Sequence, residues 1–158
     1  MIAETFRKRG IDVELRTVYL DCEAYRDNLE SLYLHSLLDE VSENWEPEII
    51  LVNDDQATYS LLKCGHPLAK QLPVVFGGVN YPNWPLIKQY PNVTGFRDKI
   101  DFMANIKVAK EIFGKGMHLF TIIDSTYLDK QIRKDAWEQL KDEKVEGFMN
   151  SKEFNSRE

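Results

Sequence analysis

The chain has 158 residues, 43% hydrophobic and 29% charged, with a formal charge of −6, which suits one core or one lobe and part of another. That acidic balance, with no Lys/Arg-rich block, argues against nucleic acid or an anionic membrane surface as partner. Two cysteines, Cys22 and Cys64, are too few for a disulfide framework and lack metal-ligand spacing. No apolar run approaches the ~18 residues of a bilayer span and no signal peptide opens the chain, so the sequence reads as soluble.

Residues 2–9 read as a short helix closed by Gly10. Over 11–20, Val13, Leu15, Thr17 and Tyr19 alternate with Asp12, Glu14, Arg16 and Val18, the period of a strand near a sheet edge. Asp27 or Asn28 caps a helix in which Leu29, Leu32, Tyr33, Ser36, Leu37 and Val41 recur at helical spacing, ending near Asn44. Ile49, Ile50, Leu51 and Val52 form a strand that runs into Asn53, Asp54, Asp55 and Gln56. A helix over 55–63 follows, closed by Gly65, with His66 and Pro67 forbidding continuation.

The strand at 73–76 runs into Gly77, Gly78, Val79, Asn80 and Tyr81, and a proline-stiffened loop leads to a short helix ending near Tyr90. Asn92 and Val93 precede Thr94 and Gly95. A helix over 101–113 places Phe102, Ile106, Ala109, Ile112 and Phe113 on one face. The strand at 118–123 runs into Asp124, Ser125 and Thr126, a helix over 128–141 groups Ile132, Ala136 and Leu140, and 144–149 reads as a last strand before a polar tail. Strands alternating with helices make the class α/β, and near-continuous Val/Ile/Leu runs call for a parallel sheet with helices on both faces.

Open α/β sheets bind ligands at the carboxyl ends of their strands, which directs the search for a site to the polar clusters there. Asp54, Asp55 and Gln56 can hydrogen-bond a polar ligand together with the helix amides, or cap the helix that follows. Gly77 and Gly78 permit close backbone approach or a tight turn. Asn80 and Tyr81 are better ligand candidates, since a rim aromatic stacks on a ring while an amide orients it, and Trp84 is expected to pack beneath the loop. The three histidines, His35, His66 and His118, are dispersed and read as structural or surface residues.

The ordered set Val52 to Ala57, Pro73 to Asn80 and Asn92 to Gly95 resembles the substrate-binding proteins of uncharacterised ABC transporters, which have a type 1 periplasmic-binding fold. Closest in likeness are the extracytoplasmic sensor domains of bacterial two-component histidine kinases that carry this module. The resemblance implies two Rossmann-like, flavodoxin-like three-layer lobes around a ligand cleft, the first over 1–97 and the beginning of the second over 98–158. It also implies that Thr94 faces the cleft and that Asp124 and Ser125 face the first-lobe loops, although the same residues suit a turn and a helix cap. It places the domain in the periplasm or another extracytoplasmic space, joined to membrane-linked kinase regions.

The sequence departs from the family pattern at both ends. The first strand that precedes the helix at 2–9 in the family is missing, and the second lobe stops after about two strands. The strand at 11–20 would normally pair with the missing one, so a rearranged sheet or a homodimer that completes the sheet is expected.

No Gly-x-Ser-x-Gly elbow, Walker A loop or Gly-x-Gly-x-x-Gly fingerprint is present, and no cofactor is expected. The expectation is a non-enzymatic domain that closes on a small molecule of unassigned identity. One alternative is a response-regulator-like phosphoacceptor domain using Asp54 and Asp55, against which the order of Asp124 and Ser125 counts. Another is a fragment that binds nothing because half its cleft is absent.

Overall fold

A computed structural model of the chain describes residues 2–20, 27–114, 116, 119–122, 127–143 and 145–149. Among these residues the order is α1 (Ile2–Lys8), α2 (Asp27–Asn44), β1 (Ile50–Asn53), α3 (Asp55–Lys63), α4 (Pro67–Gln71), β2 (Val74–Val79), α5 (Trp84–Ile87), β3 (Val93–Arg97), α6 (Phe102–Phe113), β4 (Leu119–Ile122), α7 (Tyr127–Leu140) and β5 (Val145–Met149). The strands form a parallel three-stranded sheet in the order β1-β2-β3 and a parallel pair β4-β5. The α/β class and the parallel pairing are as the apolar runs require.

Register explains which face of the larger sheet is buried. Ile50 pairs with Val74 and Val74 with Val93, while Val52 pairs with Phe76 and Phe76 with Gly95, so these side chains share one face. Leu34 of α2, Leu61 of α3 and Ala69 of α4 pack there around Val74, and Leu62 of α3 and Ile87 of α5 pack there around Phe76 and Val79. The opposite face carries Leu51, Val75, Thr94 and Phe96, with Leu51 43% and Phe96 76% exposed. The expected helices on both faces are thus found on one face only among the described residues. The first helix does not fill the gap, because α1 has no buried residue.

A second departure is the segment 11–20, which forms neither strand nor helix. Its period-two pattern has no ladder to join, so Ile11, Val13, Leu15 and Val18 stay exposed and Tyr19 is 85% exposed. Arg16 sits over the Trp45 ring at 4.9 Å, and only Leu20 reaches the core. The outer edge of β1 pairs with no strand among the described residues, and Ile49 is 50% exposed. A strand pattern specifies alternation, but only a partner strand satisfies the backbone groups that make it a strand.

Two smaller corrections concern loops. Gly65, at φ +73°, follows the end of α3 as expected, yet Pro67 also starts α4, because proline suits the first helical position and the His66 ring accepts a hydrogen bond from the Leu68 amide as the cap. Trp84 does not pack beneath its loop but is 47% exposed, since it opens α5 and turns Ile87 inward instead.

Thr94 and Gly95 lie inside β3 rather than in a turn. A Cβ on Gly95 would stand 2.2 Å from the Phe76 carbonyl oxygen and 2.4 Å from Phe76 Cγ, so the bare backbone is what lets the Phe76 ring lie across β3. Gly95→Ala should therefore lower unfolding stability by about 2–3 kcal/mol through overpacking, read as an earlier urea midpoint. An unchanged midpoint would refute this packing.

Candidate functional site

The carboxyl ends of β1, β2 and β3 lie at one end of the larger sheet, and a buried carboxylate organises them. Asp55, the first residue of α3, has 0% of its surface exposed. Its Oδ2 accepts the Asn80 amide at 2.8 Å and its Oδ1 accepts the Tyr81 amide at 2.9 Å. The Tyr59 hydroxyl donates to Oδ1 at 2.9 Å and also lies against the Tyr81 carbonyl. These bonds join the start of α3 to the loop after β2, and each hydrogen bond to a charged acceptor contributes about 1.5–3 kcal/mol.

The sequence allows this because two glycines bend the end of β2. Gly77 pairs with Asn53, and beyond it the register with β3 shifts before Val79. Gly78 has φ +65°, and a Cβ there would stand 2.9 Å from Asn53 Oδ1. The bend points the Asn80 and Tyr81 amides back at Asp55. Asp54 closes the other side: at φ 84° it accepts the Asp55 amide at 2.6 Å, while its carbonyl takes the Thr58 amide at 3.1 Å and hydroxyl at 2.7 Å. Asp54 is the cap of α3, and its exposed side chain faces solvent at the strand ends.

Beyond the sheet, α7 meets these loops. The Tyr81 hydroxyl donates to Asp135 Oδ2 at 2.9 Å, and the Tyr127 and Tyr59 rings meet edge to face at 5.5 Å. Asp135 Oδ1 accepts Gln139 Nε2 at 3.0 Å, which also donates to the Ile100 carbonyl at 3.1 Å, while Gln139 Oε1 accepts the Phe102 amide at 2.9 Å. The stretch between β3 and α6 is thereby tied to the helix that stands over the strand ends. Burial raises the Tyr59 and Tyr81 phenols above their ordinary pKa, helped by Asp55 for Tyr59 and by Asp135 for Tyr81, so both serve as neutral donors.

The candidates singled out in the sequence thus separate into different roles. Asp55 is consumed inside the fold, and Tyr81, expected on the rim, is buried with its hydroxyl given to Asp135. Gln56 donates to Glu30 Oε2 at 2.6 Å and ties α3 to α2. Gly77 and Gly78 shape the loop. Asn80 gives its side-chain amide to the Asp98 carbonyl at 3.3 Å and receives Arg97 Nε on its own carbonyl at 3.1 Å. Thr94 pairs with Val75 within β3, three residues before the strand ends at Arg97. Asp124 and Ser125 lie outside the described residues.

Among the described residues, exposed groups at the strand ends include Asn53, Asp54, Arg97 and Tyr127. This set holds an anion, a cation, an amide and a phenol ring, and it can orient a small polar molecule carrying both charge and a flat face. Arg97, Tyr127, Tyr59 and Asp135 were not legible as partners. Only Tyr59 carries a local signal, its i+4 spacing from Asp55. A separate open groove of about 750 Å³ runs along α6 past Met103, Ala104, Ile106 and Lys107. It includes none of the strand-end residues, and the Lys110 and Glu143 charges on its wall pair with each other.

Asp55→Ala would leave the Asn80 and Tyr81 amides without their acceptor and would take one of two acceptors from the Tyr59 hydroxyl. The expected loss is about 3–5 kcal/mol of unfolding free energy, whereas Tyr81→Phe, which removes one peripheral bond, should cost about 1 kcal/mol. Equal losses in chemical denaturation would show that the carboxylate is not the organising group.

Comparison with protein-family models, with curated proteins and with solved structures finds no match to this chain.

Proposed function

We propose that the chain is a small-molecule-sensing or solute-binding domain of type 1 periplasmic-binding character, without chemistry of its own. Its ligand sits over the carboxyl ends of β1, β2 and β3 beneath α7. The observation that carries this reading is the junction of Tyr81 with Asp135 and of Tyr59 with Tyr127, which brings a helix beyond the 98–101 stretch to the strand ends of the larger sheet. A ligand gripping Asp54 and Arg97 on one side and Tyr127 on the other would favour the closed arrangement. The population shift would pass to a partner, in this proposal the membrane-linked regions of a two-component sensor kinase on the extracytoplasmic side. No helix among the described residues is long and apolar enough to cross a membrane, so a membrane link would lie elsewhere.

The phosphoacceptor alternative is weakened by Asp55, whose two oxygens already take three internal donors at 0% exposure. It therefore rests on Asp54 alone. A thermal-shift screen across amino acids, sugars and nucleosides separates the readings. A true ligand near 100 times its Kd should raise Tm by about 5–10 °C. Asp54→Asn, which keeps a cap and tolerates positive φ, should shrink that rise. Stabilisation by a phosphate mimic with Mg²⁺ alone would favour the phosphoacceptor, and no stabilisation by any probe would favour a fragment that binds nothing.

The open β1 edge, the unladdered 11–20 segment and the bare face at Leu51 and Phe96 support pairing with a second copy. Light scattering across a concentration series should then report twice the 18.5 kDa chain mass. A well-folded species at the single-chain mass throughout would end this proposal.

A further inference from the structure

At the other end of the larger sheet, three metal-ligating side chains converge that sequence spacing alone left apart. His35 and Asp39 stand one turn apart on α2, with Nδ1 3.2 Å from Oδ2. His66, in the turn between α3 and α4, brings Nε2 to 3.1 Å from Asp39 Oδ1 across 27 residues of chain. The two imidazole rings meet at 4.9 Å and 75°, and one ligand atom from each of the three residues falls within 4.8 Å of the others. The His66 side chain is 4% exposed, against 40% for His35 and 58% for Asp39, so the cluster has a rigid floor and an open mouth.

We propose that His35, Asp39 and His66 form a binding site for a divalent transition ion of zinc type, with two nitrogen ligands, one oxygen ligand and a fourth position open to water. Zn–N and Zn–O distances of about 2.0–2.2 Å imply ligand separations near 3.3 Å in a tetrahedron. The two N–O separations, His35 to Oδ2 and His66 to Oδ1, are each within about 0.2 Å of that, so the carboxylate has to turn to bring one oxygen between the two nitrogens. The partly exposed His35 has also to swing inward to bring its nitrogen closer to His66. Two imidazoles with a carboxylate suit zinc, cobalt or nickel better than magnesium or calcium, which prefer all-oxygen shells. An aspartate carboxyl is ordinarily ionised near neutral pH, so Asp39 offers an anionic oxygen ligand. Cys64 stays outside the set, with its thiol directed at the Leu61 carbonyl.

The ion has a competitor inside the fold. The Leu68 amide donates to His66 Nδ1 at 3.1 Å, which leaves the ring proton on Nε2, pointing at Asp39. An ion on Nε2 requires the other tautomer, with the proton on Nδ1 facing the Leu68 amide. Metal loading therefore breaks the cap of α4. One helix cap is a small loss, so the exchange lowers the affinity for the ion without abolishing binding. That exchange is a signature that adventitious surface binding would not produce.

The full chain should be titrated with Co²⁺ and Zn²⁺ against a chromophoric chelator while the amide spectrum is followed by NMR. Expected are one ion per chain, visible Co²⁺ bands of a four-coordinate site, and displacement of the Leu68 amide resonance on loading. His35→Ala and Asp39→Ala, both at exposed positions, should weaken uptake by more than about tenfold while far-UV circular dichroism stays unchanged. Failure of the unaltered chain to compete for metal would overturn the proposal. So would uptake that both variants retain, or loading that leaves Leu68 unmoved.

Discussion

The arrangement of the strand ends in the larger sheet hangs on the carboxylate of Asp55. A charged group with no exposed surface is tolerated only where its lone pairs are filled, and three donors fill them, from Tyr59, Asn80 and Tyr81. Its position at the start of α3 adds the favourable field of the helix amides. The bonds fix the loop after β2 to the helix after β1, so two neighbouring strand ends move as one body. Through the Tyr81 hydroxyl the same constraint reaches Asp135, Gln139 and the backbone of Ile100 and Phe102. A disturbance at the strand ends thus has a continuous hydrogen-bonded route to the stretch joining β3 to α6.

Neighbouring acidic residues divide the labour through geometry alone. Asp54 and Asp55 are adjacent and chemically alike, yet one turns inward and the other outward. Asp54 takes positive φ, which reverses the chain at the strand end, and Asp55 then enters the helix with its side chain under the β2 loop. The inward residue builds the platform, and the outward one is available to a ligand. Arg97, at the rim of β3, bonds the Asn80 carbonyl, so this exposed cation is oriented by the platform.

The larger sheet is strongly asymmetric. Helices α2 to α5 all cover the face of Ile50, Val52, Val74, Phe76 and Val93, and the other face and both edges meet solvent among the described residues. Such a sheet is stable enough to hold the Asp55 platform, because the covered face carries the fully buried Val74 and Val79. It also leaves apolar surface at Leu51 and Phe96 that a second copy would remove from water. The strand-end platform and the histidine cluster sit at opposite ends of this sheet, so events at one need not disturb the other.

What the sequence by itself determined is everything set by neighbours along the chain. Helical spacing marked α2, α3, α6 and α7, apolar runs marked β1, β2 and β4, and glycine and proline marked most ends, because periodicity and capping depend on residues three or four positions apart. Tertiary structure alone decided which marks became real. The alternation over 11–20 found no partner strand and formed no ladder, and Thr94 and Gly95 joined β3 because Val75 and Phe76 were there to pair with them. Whether Asp55 or Asp54 faced solvent, and whether Tyr81 was rim or interior, turned on a bend at Gly78 and a carboxylate on α7. His35 and His66 became neighbours only when α2 packed beside the turn before α4. Local pattern fixes the periodicity of a segment, whereas burial and hydrogen-bond partnership belong to segments far apart in sequence, and those are settled only when the elements pack.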